Sequence, residues 1–452
     1  MSLNAGTDMD MVSNAYLGTI AESYRKGLVT MAEIDSACRR VLEAKYRLGL
    51  FSDPYKYCKP QRAKTELYTE SHLKAAREIA AETFVLLKND NNILPLQKKG
   101  KIALIGPLAD AGNNMCGMWS QLCVDSRHIS LLQAFKEELG KDAELIYAQG
   151  SNLYYSEKIQ QYATGRRTIP RGDDDALLSD ALAAADKADV IVAALGESCE
   201  MSGESASRAD ITIPDAQRQL LKELVATGKP VVLLLFTARP LVLDWESENV
   251  PAILNVWYAG SEAGHAISDA VFGKTNPCGR LTTTFPRAVG QEPLYYNYLQ
   301  CSRPPWTDDH FIAYSSNYID VPNTPLYPFG FGLSYTTFEY GTPEISSDRI
   351  SVSEPIKISL DVTNTGKRAG VEIVQLYIRD CFASIVRPVK ELKNYQRVTL
   401  QPGETKKVEF MLTIDDLKFY NADLKLVYEP GDFEIMAGPD SGHLNVKRIK
   451  GI

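Results

Sequence analysis

Cysteine is sparse, with eight in 452 residues, too few and too scattered for a disulfide framework. Cys116 and Cys123 lie close enough in sequence to pair, but buried free thiols are expected instead. Basic clusters are lacking as well. Forty-nine Lys and Arg against fifty-seven Asp and Glu give a net charge of −8, and no basic block stands out, which argues against a nucleic-acid partner. Long apolar runs are missing. Val231–Phe236 falls far short of the roughly 20 residues needed to span a bilayer, so no membrane insertion is expected. Met1–Met11 has neither a positive n-region nor an apolar h-region and does not read as a signal peptide. The five histidines (His72, His128, His265, His310, His443) have no carboxylate or cysteine partners at metal-ligand spacing, so no metal is expected. G-x-S-x-G is missing, and Gly106–Gly112 lacks both G-x-G-x-x-G and G-K-[ST], so neither a serine nucleophile nor a phosphate loop is indicated. No cofactor is expected.

What is present is an ordinary globular composition, 44% hydrophobic and 23% charged, at a length that suggests about three folding units. Residues 12–50 read as two helices. Thr30-Met31-Ala32-Glu33 is a capping box, and Ile34, Cys38, Val41, Leu42 and Leu48 follow helical spacing behind it. From Ser71 the pattern alternates. Lys101–Gly106, Asp189–Gly196, Pro230–Phe236 and Ala252–Val256 are short, nearly continuous apolar runs, as parallel strands buried on both faces require. Helical stretches lie at Ser71–Thr83 and, between or after the strands, at Ser130–Leu139, Asp175–Lys187, Asp215–Thr227 and Ser261–Phe272. Together they predict an α/β sandwich around a mostly parallel sheet. Residues 288–345 are rich in proline and aromatics, among them Tyr295, Tyr296, Tyr298, Trp306, Phe311, Tyr314, Tyr318, Tyr327, Phe329 and Phe331. Stacking on sugars is one use for such rings; packing against the flanking domains is the expected one. Beyond residue 350 the period switches to two, with turns at Asn364-Thr365-Gly366, Gln401-Pro402-Gly403 and Glu429-Pro430-Gly431-Asp432, predicting a β-sandwich. The expected division is 1–60, 61–287, 288–345 and 346–452.

The densest cluster of ionisable residues is Gly196–Asp210, directly after the run Asp189–Gly196. Ligands of open α/β sheets bind beyond the carboxyl ends of strands, which is where this loop falls. Glu197, Glu200 and Glu204 could each supply a general acid or base, or the stretch could be a solvated acidic loop; composition does not choose among them. Asp244-Trp245 after a strand is expected to be a loop residue beside a packing indole, and His265 a structural residue on a helix.

Several blocks in order then resemble glycoside hydrolase family 3, the β-glucosidase and β-xylosidase family. They are GESCEMSGESASRADITIPDAQRQLL (Gly196–Leu221), LLKNDNNILPL (Leu86–Leu96), KPVVLLLFTARPL (Lys229–Leu241), WYAGSEAGHAISDAVFG (Trp257–Gly273) and CGRLTTTFPR (Cys278–Arg287). LYPFGFGLSYTTF (Leu326–Phe338) and ELKNYQRVTLQPGETKKVEF (Glu391–Phe410) resemble the run into, and part of, the family's fibronectin type III-like domain. The resemblance implies retaining, exo-acting hydrolysis of β-linked glycosides or oligosaccharides. Glu204 matches the family's general acid/base, with Glu197 and Glu200 supporting or alternative and Arg208 orienting the loop. Met118-Trp119-Ser120 matches a segment near the cleft between domains, where the Trp119 indole would face an aglycone. Ala5–Met11 resembles the last strand of the family's (β/α)₈ barrel, whose nucleophile sits in a Ser-Asp-Trp motif that does not occur here. The resemblance therefore implies a C-terminal portion with a helical barrel remnant, inactive alone, from a parent in the periplasm or secreted. It would work as a homo-oligomer or with a barrel-containing fragment. The alternative is a non-catalytic, carbohydrate-associated module or truncated product.

Overall fold

The Thr30 capping box opens a helix, its hydroxyl accepting from Glu33 N while the Glu33 carboxylate accepts from Thr30 N at 2.7 Å. A computed structural model describes residues 1–120, 127–164, 169–300, 303 and 313–452. Contacts divide it into two units, Met1–His72 and Leu73–Ile452. The first unit holds α1 (Ala15–Arg25), α2 (Met31–Arg47) and the single turn α3 (Arg62–Glu66); α4 (Glu70–Thr83) leads out of it. Its core is small: Leu3, Val29 and Ala37 are buried, with Tyr16, Ile20 and Ile34 against them. The apolar face read from the sequence is mostly in water, for Cys38, Leu42 and Leu48 are exposed. The strand expected at Ala5–Met11 is not formed. A lone strand has no ladder partner, and here Ala5, Gly6 and Thr7 turn their amides back onto the carbonyls of Met1, Leu3 and Ser2. Arg40 ties Asp8 to α2 through two nitrogens, with Nε 2.7 Å from Oδ2.

In the second unit one sheet organises residues 85–255. Its strands are β1 (Val85–Asn89), β2 (Lys101–Ile105), β3 (Glu144–Ala148), β4 (Val190–Gly196), β5 (Val231–Phe236) and β6 (Ala252–Asn255). They lie in the order β1-β6-β5-β4-β2-β3, all parallel except β1, which pairs antiparallel with β6. The helices are α5 (Leu131–Leu139), α6 (Glu157–Thr164), α7 (Asp174–Lys187), α8 (Asp215–Ala226), α9 (Asp244–Asn249) and α10 (Ala263–Val271). Alternate residues of each central strand feed opposite layers. Val232, Leu234 and Phe236 join the cluster of Leu131, Phe135 and Ile267 from α5 and α10. Val231, Leu233 and Leu235 join that of Ala181 and Leu220 from α7 and α8. Each large side chain so buried contributes about 2 kcal/mol, which is why β4 and β5 read as continuous apolar runs. Asp244-Trp245 opens α9 rather than lying in a loop; its indole packs on the second layer beneath Lys222.

The remaining residues form a β-sandwich from β7 (Phe338–Tyr340), β8 (Glu344–Ile345), β9 (Arg349–Ile350), β10 (Ile356–Asn364), β11 (Gly370–Asp380), β12 (Glu391–Leu400), β13 (Thr405–Leu412), the short pair β14 (Phe419–Tyr420) and β15 (Leu426–Val427), β16 (Gly431–Asp440) and β17 (His443–Gly451). One sheet runs β13-β10-β7, with β8 also on β10; the other runs β12-β11-β16-β17-β9. Inward side chains such as Leu360, Val374, Phe410 and Phe433 form one core. The aromatics before the sandwich largely pack: Phe285, Tyr327 and Phe331 against one another, and Tyr296 on Phe329, 4.2 Å between rings. Trp306 and Phe311 lie outside the described residues.

Candidate active site

Strand β4 ends on Gly196 at φ +132°, where a Cβ would fall 2.0 Å from the Phe236 carbonyl, so only glycine lets β4 and β5 run this close. The loop from Glu197 to Ile213 follows, beyond the carboxyl edge of the parallel sheet. Its root is Glu197, whose side chain is completely buried. One carboxylate oxygen receives Arg208 Nη1 at 2.8 Å and lies 3.1 Å from Arg239 Nε, in ion-pair range but off a hydrogen-bond line. The other accepts from Thr237 Oγ1 at 2.8 Å and Ala238 N at 3.4 Å. Arg208 also donates to Thr212 O at 2.8 Å, and Arg239 donates to the carbonyls of Met201 and Ala206. Two guanidinium groups thus staple both ends of the loop to one carboxylate. Tyr258, carried on the segment after β6, aims its hydroxyl at the carbonyls of Ser198 (2.8 Å) and Glu197 (3.1 Å). Burial, then the nearby Glu197 charge, pushes this phenol far above its ordinary range, so it is a neutral donor. Asn114 accepts from Cys199 N at 2.7 Å.

The three glutamates that composition left equivalent are therefore separated by their surroundings. Glu197 is spent on protein contacts. Glu200 is half-buried on the 3₁₀ turn Cys199–Met201. Glu204 is exposed at the tip. It stands between Gly203 at φ +94° and Ser205 at φ +60°, a reversed stretch of backbone that lifts it off the sheet. A Cβ on Gly203 would come 2.8 Å from Met118 Cγ and 3.6 Å from the Trp119 indole nitrogen, so the tip rests on Met118 and Trp119. Trp119 is itself 67% exposed. Trp119, Gly203, Ser202, Arg239, Tyr258 and Cys116 line a cleft of about 420 Å³ at this edge.

Arg239, Thr237 and Tyr258 were not singled out from the sequence. Each lies just beyond a buried strand that was recognised, and its position at the carboxyl edge was the available signal. The histidines are less isolated than their spacing suggested, because their partners are distant in sequence or on neighbouring turns. His265 sits between Glu262 (2.7 Å) and Glu137 (2.9 Å). His443 faces Asp440, and His128 lies 3.4 Å from the Cys116 sulfur. His310 and Cys123 lie outside the described residues.

Comparison with known proteins adds an independent observation. Residues 84–335 match the family model of the glycosyl hydrolase family 3 C-terminal domain, and residues 372–441 that of a fibronectin type III-like domain. The chain is 43% identical over 451 residues to a periplasmic β-glucosidase of Salmonella typhimurium, covering 98% of this chain and 59% of that protein. It is 38% identical to a β-xylosidase of Formosa agariphila, covering 99% and 60%. Among solved structures, the β-glucosidase from Listeria innocua in complex with isofagomine superposes with a TM-score of 0.86 at 36% identity, covering 100% of this chain and 60% of that one. The chain thus spans about 60% of the length of these relatives.

Proposed function

This chain belongs to glycosyl hydrolase family 3, and from that premise we propose that it supplies the acid/base half of a retaining, exo-acting β-glycosidase, with β-glucosides as the first substrate class. One observation carries the reading: an exposed glutamate, Glu204, is lifted on a reversed turn next to Gly203, which lines a cleft walled by Trp119. In such a reaction the protonated carboxyl of Glu204 gives its proton to the glycosidic oxygen as a second carboxylate attacks the anomeric carbon. The leaving alcohol departs and a glycosyl-enzyme ester remains. The Glu204 carboxylate then takes a proton from the water that opens that ester. The two carboxyl groups must stand about 5–5.5 Å apart. These 452 residues hold no Ser-Asp-Trp, so the nucleophile comes from a barrel to which residues 1–60 belong, and the chain by itself is inactive. Residues 61–287 carry the acid/base loop, 288–345 connect, and 346–452 form the fibronectin type III-like part. Trp119 faces the aglycone, Arg208 orients the loop through Glu197, and Glu200 takes a supporting place.

The test has two stages. The purified chain alone gives no turnover of aryl β-glucosides; turnover at an ordinary enzyme rate refutes the division of labour. In the enzyme completed with its barrel, Glu204→Ala slows substrates with poor leaving groups far more than activated aryl glycosides, and azide restores the second step. Equal losses without rescue would move the role to Glu200, since Glu197 is buried and bonded on both oxygens.

A further inference from the structure

A second recess, of about 940 Å³, lies between the proline- and aromatic-rich connection and the β-sandwich, and shares no lining residue with the cleft beneath Glu204. Its aromatic walls divide into two kinds. Tyr296 is used up in packing, stacked on Phe329 and edge-on to Tyr377, and forms a floor. Tyr295 and Tyr318 present ring surface to water, 62% and 41% exposed. Tyr318 is held in place, its amide donating to Asn323 Oδ1 at 3.1 Å and its hydroxyl to Gly290 O at 3.2 Å. The wall bearing Tyr295 is stitched to the sandwich. Val389 N donates to Tyr298 O at 3.0 Å, Leu392 N to the Tyr296 hydroxyl at 3.4 Å, and Leu299 bridges Pro388. The platforms are therefore preorganised rather than loose.

The polar groups of the recess include planar forks, several hydroxyls and one ammonium. Arg379 donates to Gln300 and to Glu434, and Glu434 also accepts from Arg448 at 3.0 Å. Lys390 differs. Its stem is half-buried, its ammonium donates to Ser441 O at 2.6 Å, and among the described residues it makes no salt bridge. Burial holds it below the usual lysine range, with Asp440 partly opposing the shift. A half-buried cation with donors to spare is stabilised by further oxygen acceptors.

Exposed aromatic faces beside planar hydrogen-bonding groups and a spare charged donor match one class of small molecule. A pyranose has an apolar C–H face to lay on a ring and a rim of hydroxyl oxygens to accept from ammonium and guanidinium groups. The volume lies within the range of small-ligand sites and holds several sugar rings. We infer that this recess is a second carbohydrate site, taking a short β-linked oligosaccharide with a sugar ring on Tyr295 and a hydroxyl on Lys390. It would hold a glycan near the enzyme without taking part in bond cleavage.

The 452-residue chain can be tested directly by saturation-transfer difference NMR with cellohexaose and xylohexaose. The expected result is saturable binding, with the strongest transfer to sugar ring protons. Tyr295→Ala and Lys390→Met should each weaken it at least tenfold, and Tyr420→Ala, an exposed ring outside both recesses, should leave it unchanged. Because Tyr295 is exposed, its variant keeps the parent melting temperature and remains decisive if Lys390→Met fails to fold. No saturable binding overturns the inference. Loss with Trp119→Ala and not with Tyr295→Ala also overturns it, placing the sugar in the cleft beneath Glu204 and leaving the proposed function standing.

Discussion

The root and the tip of the Glu197–Ile213 loop carry the same side chain in opposite settings. At the root, Glu197 is closed off from water and bonded on both oxygens, with two arginines, a threonine and a backbone amide around it. At the tip, Glu204 is open to solvent between two left-handed residues. A carboxylate whose lone pairs are all taken by protein holds the backbone in place; a carboxylate left open is available to a substrate. The contrast divides fold from chemistry within one loop, and measurements of stability can break it.

The largest effect is expected from Glu197→Ala, which strands Arg208 and Arg239 without their buried partner and costs about 3–5 kcal/mol, read as a fall in denaturation midpoint. A loss under 1 kcal/mol would mean that the root is not the anchor. Next comes Arg239→Met, which removes donors to the Met201 and Ala206 carbonyls as well as the ion pair. A cost of about 2 kcal/mol is expected, with hydrogen exchange speeding up at 201–206 before it does in β4.

A smaller effect comes from a pair outside the loop that calibrates surface charge. His265→Ala should cost about 1 kcal/mol, since His265 and its partner Glu137 reach the surface although its other partner, Glu262, is buried. Burial alone would lower the His265 pKa, but its bonds to Glu262 and Glu137 carry it above the ordinary value, against the repulsion of Arg77. Its stabilisation is therefore complete below the unfolded value of 6.5 and drains away as pH rises through the higher folded value. Glu137, lowered chiefly by its bond to His265, loses its share as pH falls below 4.5. The wild-type advantage over His265→Ala should thus shrink as pH rises above 6.5; an advantage that grows there would reverse this sign. The smallest effect belongs to Glu204→Ala, within about 0.5 kcal/mol of the parent. A large destabilisation at Glu204 would erase the contrast between root and tip.

The central strands and their covering helices were legible because continuous apolar runs and 3.6-residue spacing are what burial on two faces and on one face demand. Edge elements were not. β1 runs straight on from α4 and ends in Lys88 and Asn89, and β3 exposes Glu144 and Tyr147, so neither carries a full apolar signature. β12 buries only Val398 and Leu400, its first seven residues being partly or fully exposed, so it carries little of the alternation that marks a strand. β17 was not legible, since it alternates around Lys447, Arg448 and Lys450 and buries only Ile449 and Gly451. The loop was found by its acidic density, yet the identity of its anchor was not. Nothing in a run of three glutamates distinguishes the one that meets Arg239, whose place beside it is set by the pairing of β4 with β5.

The antiparallel edge strand β1 has a consequence for synthesis. Its Leu86 pairs with Leu254, and also bridges Leu333, so the first strand of the sheet to leave a ribosome waits for the last. At the usual pace of roughly 5–20 residues per second, that wait lasts on the order of ten to thirty seconds. Throughout it Val85-Leu86-Leu87 is an apolar strand with no neighbour, the kind of segment that chaperones hold and that aggregates form around. The four parallel strands β2 to β5 can assemble as they emerge, with β6 and β1 closing one side afterwards. Slow translation upstream of Ala252 would then lengthen the vulnerable interval, and yield in a cell would depend on codon choice there as much as on the stability of the finished sheet.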